Sequence, residues 1–238
     1  MILPYVCNRT FNKEIEMIEI KNASGEVLIT VDADTLVDAD LAGADLAGAD
    51  LKGTNLKGAY LGGANLVGAN LEGACLLDSH LEGANLEGAN LSYANLVGAN
   101  LEGANLKDAD LEDASILKAN LRGANLRNAI LGGAGVFSMP TGADFERADL
   151  EGADLTGAFL RGVYFNDTNL TGADFTDTFL KDATFQKSNV KGANFSGANW
   201  GDAYVSEDTN MKDAINAIGF GEDTIIFIKD PTNIIEDL

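Results

Sequence analysis

Much of what builds a typical enzyme is scarce in this chain. It has two cysteines in 238 residues, Cys7 and Cys75, too few for a disulfide framework. A reducing, cytoplasmic setting is therefore the default expectation. Its one histidine, His80, has no second histidine and no cysteine pair with which to complete a metal set. Proline occurs three times, at Pro4, Pro140 and Pro231, always at a boundary between differently patterned stretches. No run approaches the ~18 apolar residues of a membrane span. The opening MILPYVCNRT has no basic region followed by a long apolar core, so no secretion signal is expected, and Cys7 sits in a poor match to a lipoprotein cleavage site. There is no P-loop, no GxGxxG after a strand and no nucleophile elbow. Catalysis, cofactors and metals find no support. Positive charge is scarce too. With 16 Lys and Arg against 37 Asp and Glu, the net charge of −21 repels phosphate and argues against direct nucleic-acid binding.

What the chain does have is a period. A large apolar residue recurs every fifth place from Leu36 to Val136, and again from Phe145 to Val205. Two places before each of these centres stands Ala, or occasionally Thr, Ser or Val, with Asp34 before Leu36 the exception, and between the two usually stands Asp or Asn. Five fits neither the 3.6 of a helix nor the 2 of a strand. It fits a short extended segment and a turn, repeated, with one large and one small side chain pointing inward. One such segment buries almost nothing alone, so stability must come from stacking on neighbours. Alanine before leucine implies a narrow interior that a larger residue would overpack. Leu86, Leu91, Leu96 and Leu101 are expected deep in the stack. The residue after each centre varies, as an outward side chain would. The next is usually Gly, yet Asp78, Tyr93, Asp108, Lys118 and Asn128 also occupy it. Tyr and Lys are poorly suited to positive φ, so glycine is expected to be favoured there without a left-handed backbone being required.

The tandem A(D/N)LXX pattern resembles the pentapeptide-repeat proteins over about Asp34 to Val205. The resemblance implies an all-β fold, a right-handed quadrilateral parallel β-helix with four pentapeptides per coil and about eight coils. With ~4.8 Å between coils the rod would be roughly 40 Å long.

Three parts are expected. Residues 1–33 form an N-terminal cap, because two apolar-rich runs flank Asn22-Ala23-Ser24-Gly25 as in a hairpin. Residues 34–205 form the β-helix, interrupted by a surface bulge at residues 139–142 where Pro140 lacks a donor for the ladder. Residues 206–238 form a C-terminal cap. Met211, Ala214, Ile215 and Ile218 follow helical spacing after a possible cap at Asn210, and Thr224 to Ile228 (TIIFI) is strand-like. An open solenoid end exposes apolar side chains and unpaired backbone, so both ends need cover. Self-association through the C-terminal tail is an open alternative.

With four repeats per coil, residues twenty apart share a surface column. Leu77, Val97, Leu117 and Phe137 are then one apolar stripe, a candidate contact site for a protein partner or for the tail, whose Ile225, Ile226 and Phe227 would suit it. Phe159 and Phe179, and likewise Ile130, replace Asp or Asn on the wall. Tyr164 and Tyr204 fall in a column beginning Asp40, Tyr60 and His80. The resulting function is a non-catalytic interaction protein presenting a rigid acidic surface. The alternative draws on the resemblance: some members mimic duplex DNA and bind type II topoisomerases such as DNA gyrase. Duplex DNA ~40 Å long carries roughly 24 phosphates. Residues 34–205 carry 24 Asp and Glu and 11 Lys and Arg, a net −13 spread over four faces. By charge alone this is a weak mimic.

Overall fold

The computed structural model describes residues 17–132, 143–206 and 208–215. It begins with a hairpin, β1 (Met17–Lys21) antiparallel to β2 (Val27–Asp32), with a bulge between Ile20 and Lys21. Asn22 makes the turn tight. Its Oδ1 accepts the backbone N–H groups of Ser24 and Glu26, and Gly25 takes a φ of 84°. Ile20 is buried, and Ile18, Leu28, Ile29 and Val31 pack on the first coil. The hairpin also joins the ladder, since Asp50 donates its N–H to the Lys21 carbonyl at 2.7 Å.

Beyond the hairpin the chain winds into a four-sided stack. Parallel bridges link residues twenty apart, as in Asn65 to Asn85 to Asn105 to Asn125. Four pentapeptides therefore make one coil, as the resemblance implies. The centres are buried throughout: Leu86, Leu91 and Leu96 are 0 % exposed and Leu101 is 1 %. Most of the small residues are buried too, and the hydroxyls of Ser79, Thr168, Thr178 and Ser188 bond to backbone. Ser79 and Ser188 each donate to the carbonyl of the preceding centre, at 2.7 and 2.8 Å. In the later coils Phe145, Phe165 and Phe185 stack in one interior column, and Phe175 and Phe195 in another.

One repeat shows how the backbone is satisfied. Asn85 donates to the Ala64 carbonyl of the coil before, and Leu86 to the Asn105 carbonyl of the coil after. Glu87 donates to the Asn85 side chain, Gly88 to the Lys107 carbonyl, and Ala89 back to the Leu86 carbonyl across the turn. All five N–H groups have partners, which a buried solenoid requires.

Three expectations need correction. First, the corner residue does adopt positive φ, whatever its type. Tyr93 has φ 59°, Lys118 58°, Arg147 61° and Lys187 57°, close to the 62° to 68° of most corner glycines. The neighbouring coils hold the backbone in register, and the local strain is borne by the stack. Second, the interruption is larger than four residues. Ser115 bridges to Asp144, twenty-nine residues on instead of twenty. Ala143 donates to the Leu131 carbonyl just as each small residue does to its centre, so the extra chain enters after Leu131 and Gly132. Phe145 is the next centre; Val136 and residues 139–142 lie outside the described residues. Third, no helix starts at Asn210. Asn210 bridges to Asn189 and Ile215 to Asn194, and Met211 and Ala214 pack on the core as one more large and small pair. Helical spacing and pentapeptide spacing coincide over so short a stretch, and the stack below supplied the template. Residues 216–238, including the strand-like run, lie outside the described residues.

Leu96→Ala should lower stability by ~2–5 kcal/mol, since no neighbour can collapse into the space. Glu102→Gln, on the surface, should change it little. Tyr93→Gly should raise the melting temperature, because it removes ~1–2 kcal/mol of left-handed strain for a smaller entropic cost. Thermal unfolding followed by circular dichroism checks all three.

Candidate functional site

The surface consists of columns, and two devices fix them. An Asn or Asp on the wall accepts the N–H two residues on, as Asn95 does from Val97 at 3.1 Å. The Asn amide then donates down the column to the residue one coil earlier. Asn105 reaches Asn85 at 2.9 Å and Asn125 reaches Asn105 at 3.0 Å. Asp accepts but cannot donate, so it suits the start of such a ladder, as at Asp45 below Asn65. Asp149 and Asp154 stand instead above Asn120 and Asn125. There Arg122 and Arg127 supply donors, reaching Asp149 at 3.4 Å and Asp154 at 3.2 Å.

Cations interrupt the acidic columns in the same way. Lys107 lies 2.8 Å from Glu87 and 3.2 Å from Asp108, and Arg122 also reaches Glu151 at 3.0 Å. The Lys107 hydrogen bond holds the Glu87 carboxyl below its ordinary range. The Asn128 amide, then Lys107, does the same for Asp108. Partial burial pushes the Asp154 carboxyl up, but bonds from the Thr156 hydroxyl and backbone and from Arg127 outweigh it, and the net shift is down. Burial, then Glu112, raises Asp113.

The predicted apolar stripe is partly present. Leu77, Val97 and Leu117 occupy successive coils, each following a buried centre, and all three are half-buried. Phe137 lies outside the described residues, and the position above Leu117 belongs to Glu146, whose carbonyl accepts the Lys118 N–H. The stripe is therefore three residues long among the described residues, with Lys57 below and Glu146 above.

The nine extra residues also break column arithmetic. Tyr164 and Tyr204 do not continue the Tyr60 and His80 column; they stand above Cys75, Asn95, Ser115 and Asp144. Tyr60 and His80 stack with ring centroids 4.8 Å apart, and their column runs on to Asn100, Asn120 and Asp149. Ile130, Phe159 and Phe179, by contrast, share one column. They are 43 %, 48 % and 46 % exposed, and the two phenylalanine rings are stacked at 5.0 Å. Each was visible as an apolar residue on the wall, and the spacing of 20 places Phe179 above Phe159, but the spacing of 29 conceals that Ile130 adjoins them.

Among the described residues no group of three His, Cys, Asp or Glu could hold a metal, and no helix is long and apolar enough to cross a membrane. Cys75 is a free thiol on the wall.

The lowered carboxyls make a pH prediction. A group whose folded value lies below its unfolded one stabilises the fold above the unfolded value and loses that contribution as pH falls through the folded one. Stability should thus decline between about pH 5 and pH 2. Arg127→Gln should move the Asp154 titration upward and shrink its share of that decline, as read by NMR titration of the carboxyl.

Comparison with known proteins fits this geometry. The model of pentapeptide repeats matches residues 36–73, 64–103, 104–134, 141–167 and 164–199, in 8 copies. HetL, a pentapeptide repeat protein involved in heterocyst differentiation regulation from the cyanobacterium Nostoc sp. strain PCC 7120, is 32 % identical. The match covers 75 % of this chain and 81 % of HetL, with a TM-score of 0.61. Rfr23, from the cyanobacterium Cyanothece 51142, is 30 % identical over 51 % of this chain and 63 % of its own, at a TM-score of 0.28. QnrB1, a plasmid-mediated fluoroquinolone resistance protein, is 19 % identical over 74 % of this chain and 84 % of its own, at 0.37. No curated protein sequence matches significantly. The likeness implies right-handed winding of the four-sided coil. By its repeat, its coil, the repeat model that matches most of it and its likeness to HetL, the chain belongs to the pentapeptide-repeat family.

Proposed function

We propose that the protein is a non-catalytic interaction module of the cytoplasm, offering a rigid acidic surface to a protein partner. The observation that carries this reading is the Leu77, Val97 and Leu117 stripe. Most other centres are followed by a charged, polar or small residue, Val37 and Val67 apart, and these three stack in successive coils on backbone that is hydrogen-bonded coil to coil. A surface so fixed loses little entropy on binding, so a modest apolar stripe within a charged surround can bind specifically. The free Cys75 thiol agrees with a reducing compartment.

Modulation of a type II topoisomerase by DNA mimicry draws less support. The acidic columns are interrupted by Lys107, Arg122 and Arg127, each paired with carboxylates of this chain. The field they present is therefore a mixture of signs, whereas a duplex presents one.

Affinity capture from source cells tests the proposal. Wild type should retain a protein partner that Val97→Glu combined with Leu117→Glu loses by at least tenfold, with melting temperature held. Unchanged capture together with a lowered melting temperature would mean that the stripe is covered by this chain itself. Inhibition of DNA supercoiling, or protection of gyrase from a quinolone, would favour the topoisomerase reading instead.

A further inference from the structure

A second apolar surface lies elsewhere on the rod, and its argument does not depend on the stripe. Ile130, Phe159 and Phe179 follow one another in successive coils along the middle of one face. The same column carries Asp50, Asn70, Asn90 and Asp110 below them and Asn199 above. Asn or Asp at this position caps its own turn and ties to the next coil, so the three apolar residues give up hydrogen bonds that the repeat otherwise makes. Stacking of the exposed Phe159 and Phe179 rings returns only part of that loss.

The neighbours on the face shape what fits there. Residues two before and two after a wall residue lie at the two corners that bound its face, the first ending one turn and the second beginning the next. Beside Phe159 these are Gly157 and Arg161; beside Phe179 they are Asp177 and Lys181. One edge of the face thus carries Arg161 and Lys181 with Asp182 and Asp202 beside them, and the other carries glycine and an aspartate unpaired among the described residues. Arg161 pairs with the half-buried Asp182 at 3.3 Å and Lys181 with the exposed Asp202 at 3.7 Å, and surface pairs of this kind contribute little. Asp177 is exposed and forms no ion pair among the described residues.

We infer that this face binds the same face of a second copy of the chain, about a two-fold axis parallel to the rod. That axis brings the Arg161 and Lys181 edge of one copy over the Asp177 edge of the other, with the aromatic columns meeting between them. A two-fold axis across the rod would lay the Arg161 and Lys181 edge on itself. Charge thus selects the arrangement, while apolar burial supplies the affinity. Three half-exposed side chains offer on the order of 100 Å² each, well below the ~800 Å² per partner of a standard interface. The dimer is therefore reversible, with its midpoint in the micromolar range or weaker.

Sedimentation equilibrium of the full chain decides the matter. The average mass should climb from 24.9 kDa towards twice that value as concentration rises to about 1 mM. Phe159→Asn with Phe179→Asn, which restores the residue usual on the wall and so preserves the coil, should weaken association at least tenfold with an unchanged circular dichroism spectrum. Lys181→Glu should weaken it several-fold, and adding Asp177→Lys should restore it. A monomer at every concentration, or a dimer indifferent to the asparagine pair, overturns the proposal. Tighter association of Lys181→Glu overturns the axis on which it rests.

Discussion

Each quarter-turn of this rod depends on a four-residue turn whose third residue has a left-handed backbone. Glycine adopts that conformation freely, and most corners use it. Aspartate is the commonest substitute, and even Tyr93 and Lys118 comply. The turn closes with a bond from the small residue to the preceding centre, and its inner N–H groups pair with the coil above and the wall side chain. Were one corner to relax towards negative φ, these bonds would fall out of register together. Coil-to-coil bonding therefore fixes the corner, and the corner in turn fixes which side chains face inward.

Surface order follows from the same geometry. Because coils repeat at a constant offset, an outward residue is held directly above its counterpart in the coil below. Asparagine ladders such as Asn85, Asn105 and Asn125 add side-chain bonds to that alignment. A column of like residues becomes a preformed strip, whether polar or apolar. In a solenoid whose coils touch only their neighbours, a substitution on one strip leaves distant strips undisturbed. Binding character can then vary column by column while the coil itself is kept.

Charge is managed along the columns as well. The chain as a whole is strongly acidic, yet the described coils place cations where acids would otherwise crowd. Arg122 and Arg127 do two things at once. They neutralise Asp149 and Asp154, and they replace the amide donors that an asparagine would have supplied at those positions.

The sequence by itself determined the coil. A large and a small apolar residue once per five leaves few other ways to bury both, and the burial of Leu86, Leu91, Leu96 and Leu101 follows from that alone. It also showed Leu77, Val97 and Leu117 as neighbours, because nothing interrupts the spacing between them. Only the tertiary structure decided what lies beyond the interruption. A shift of nine residues leaves local pattern intact while moving every later repeat relative to the earlier ones, so Phe159 came to adjoin Ile130, and Tyr164 left the Tyr60 column for that of Cys75. The stack likewise decided that Met211 continues the coil, since five residues of pattern fit a helix equally well until a neighbouring coil offers its backbone. The corner conformation of Tyr93 and Lys118 is of the same kind. Residue preference is a local energy of about a kilocalorie, and the summed hydrogen bonds of the coils on either side exceed it.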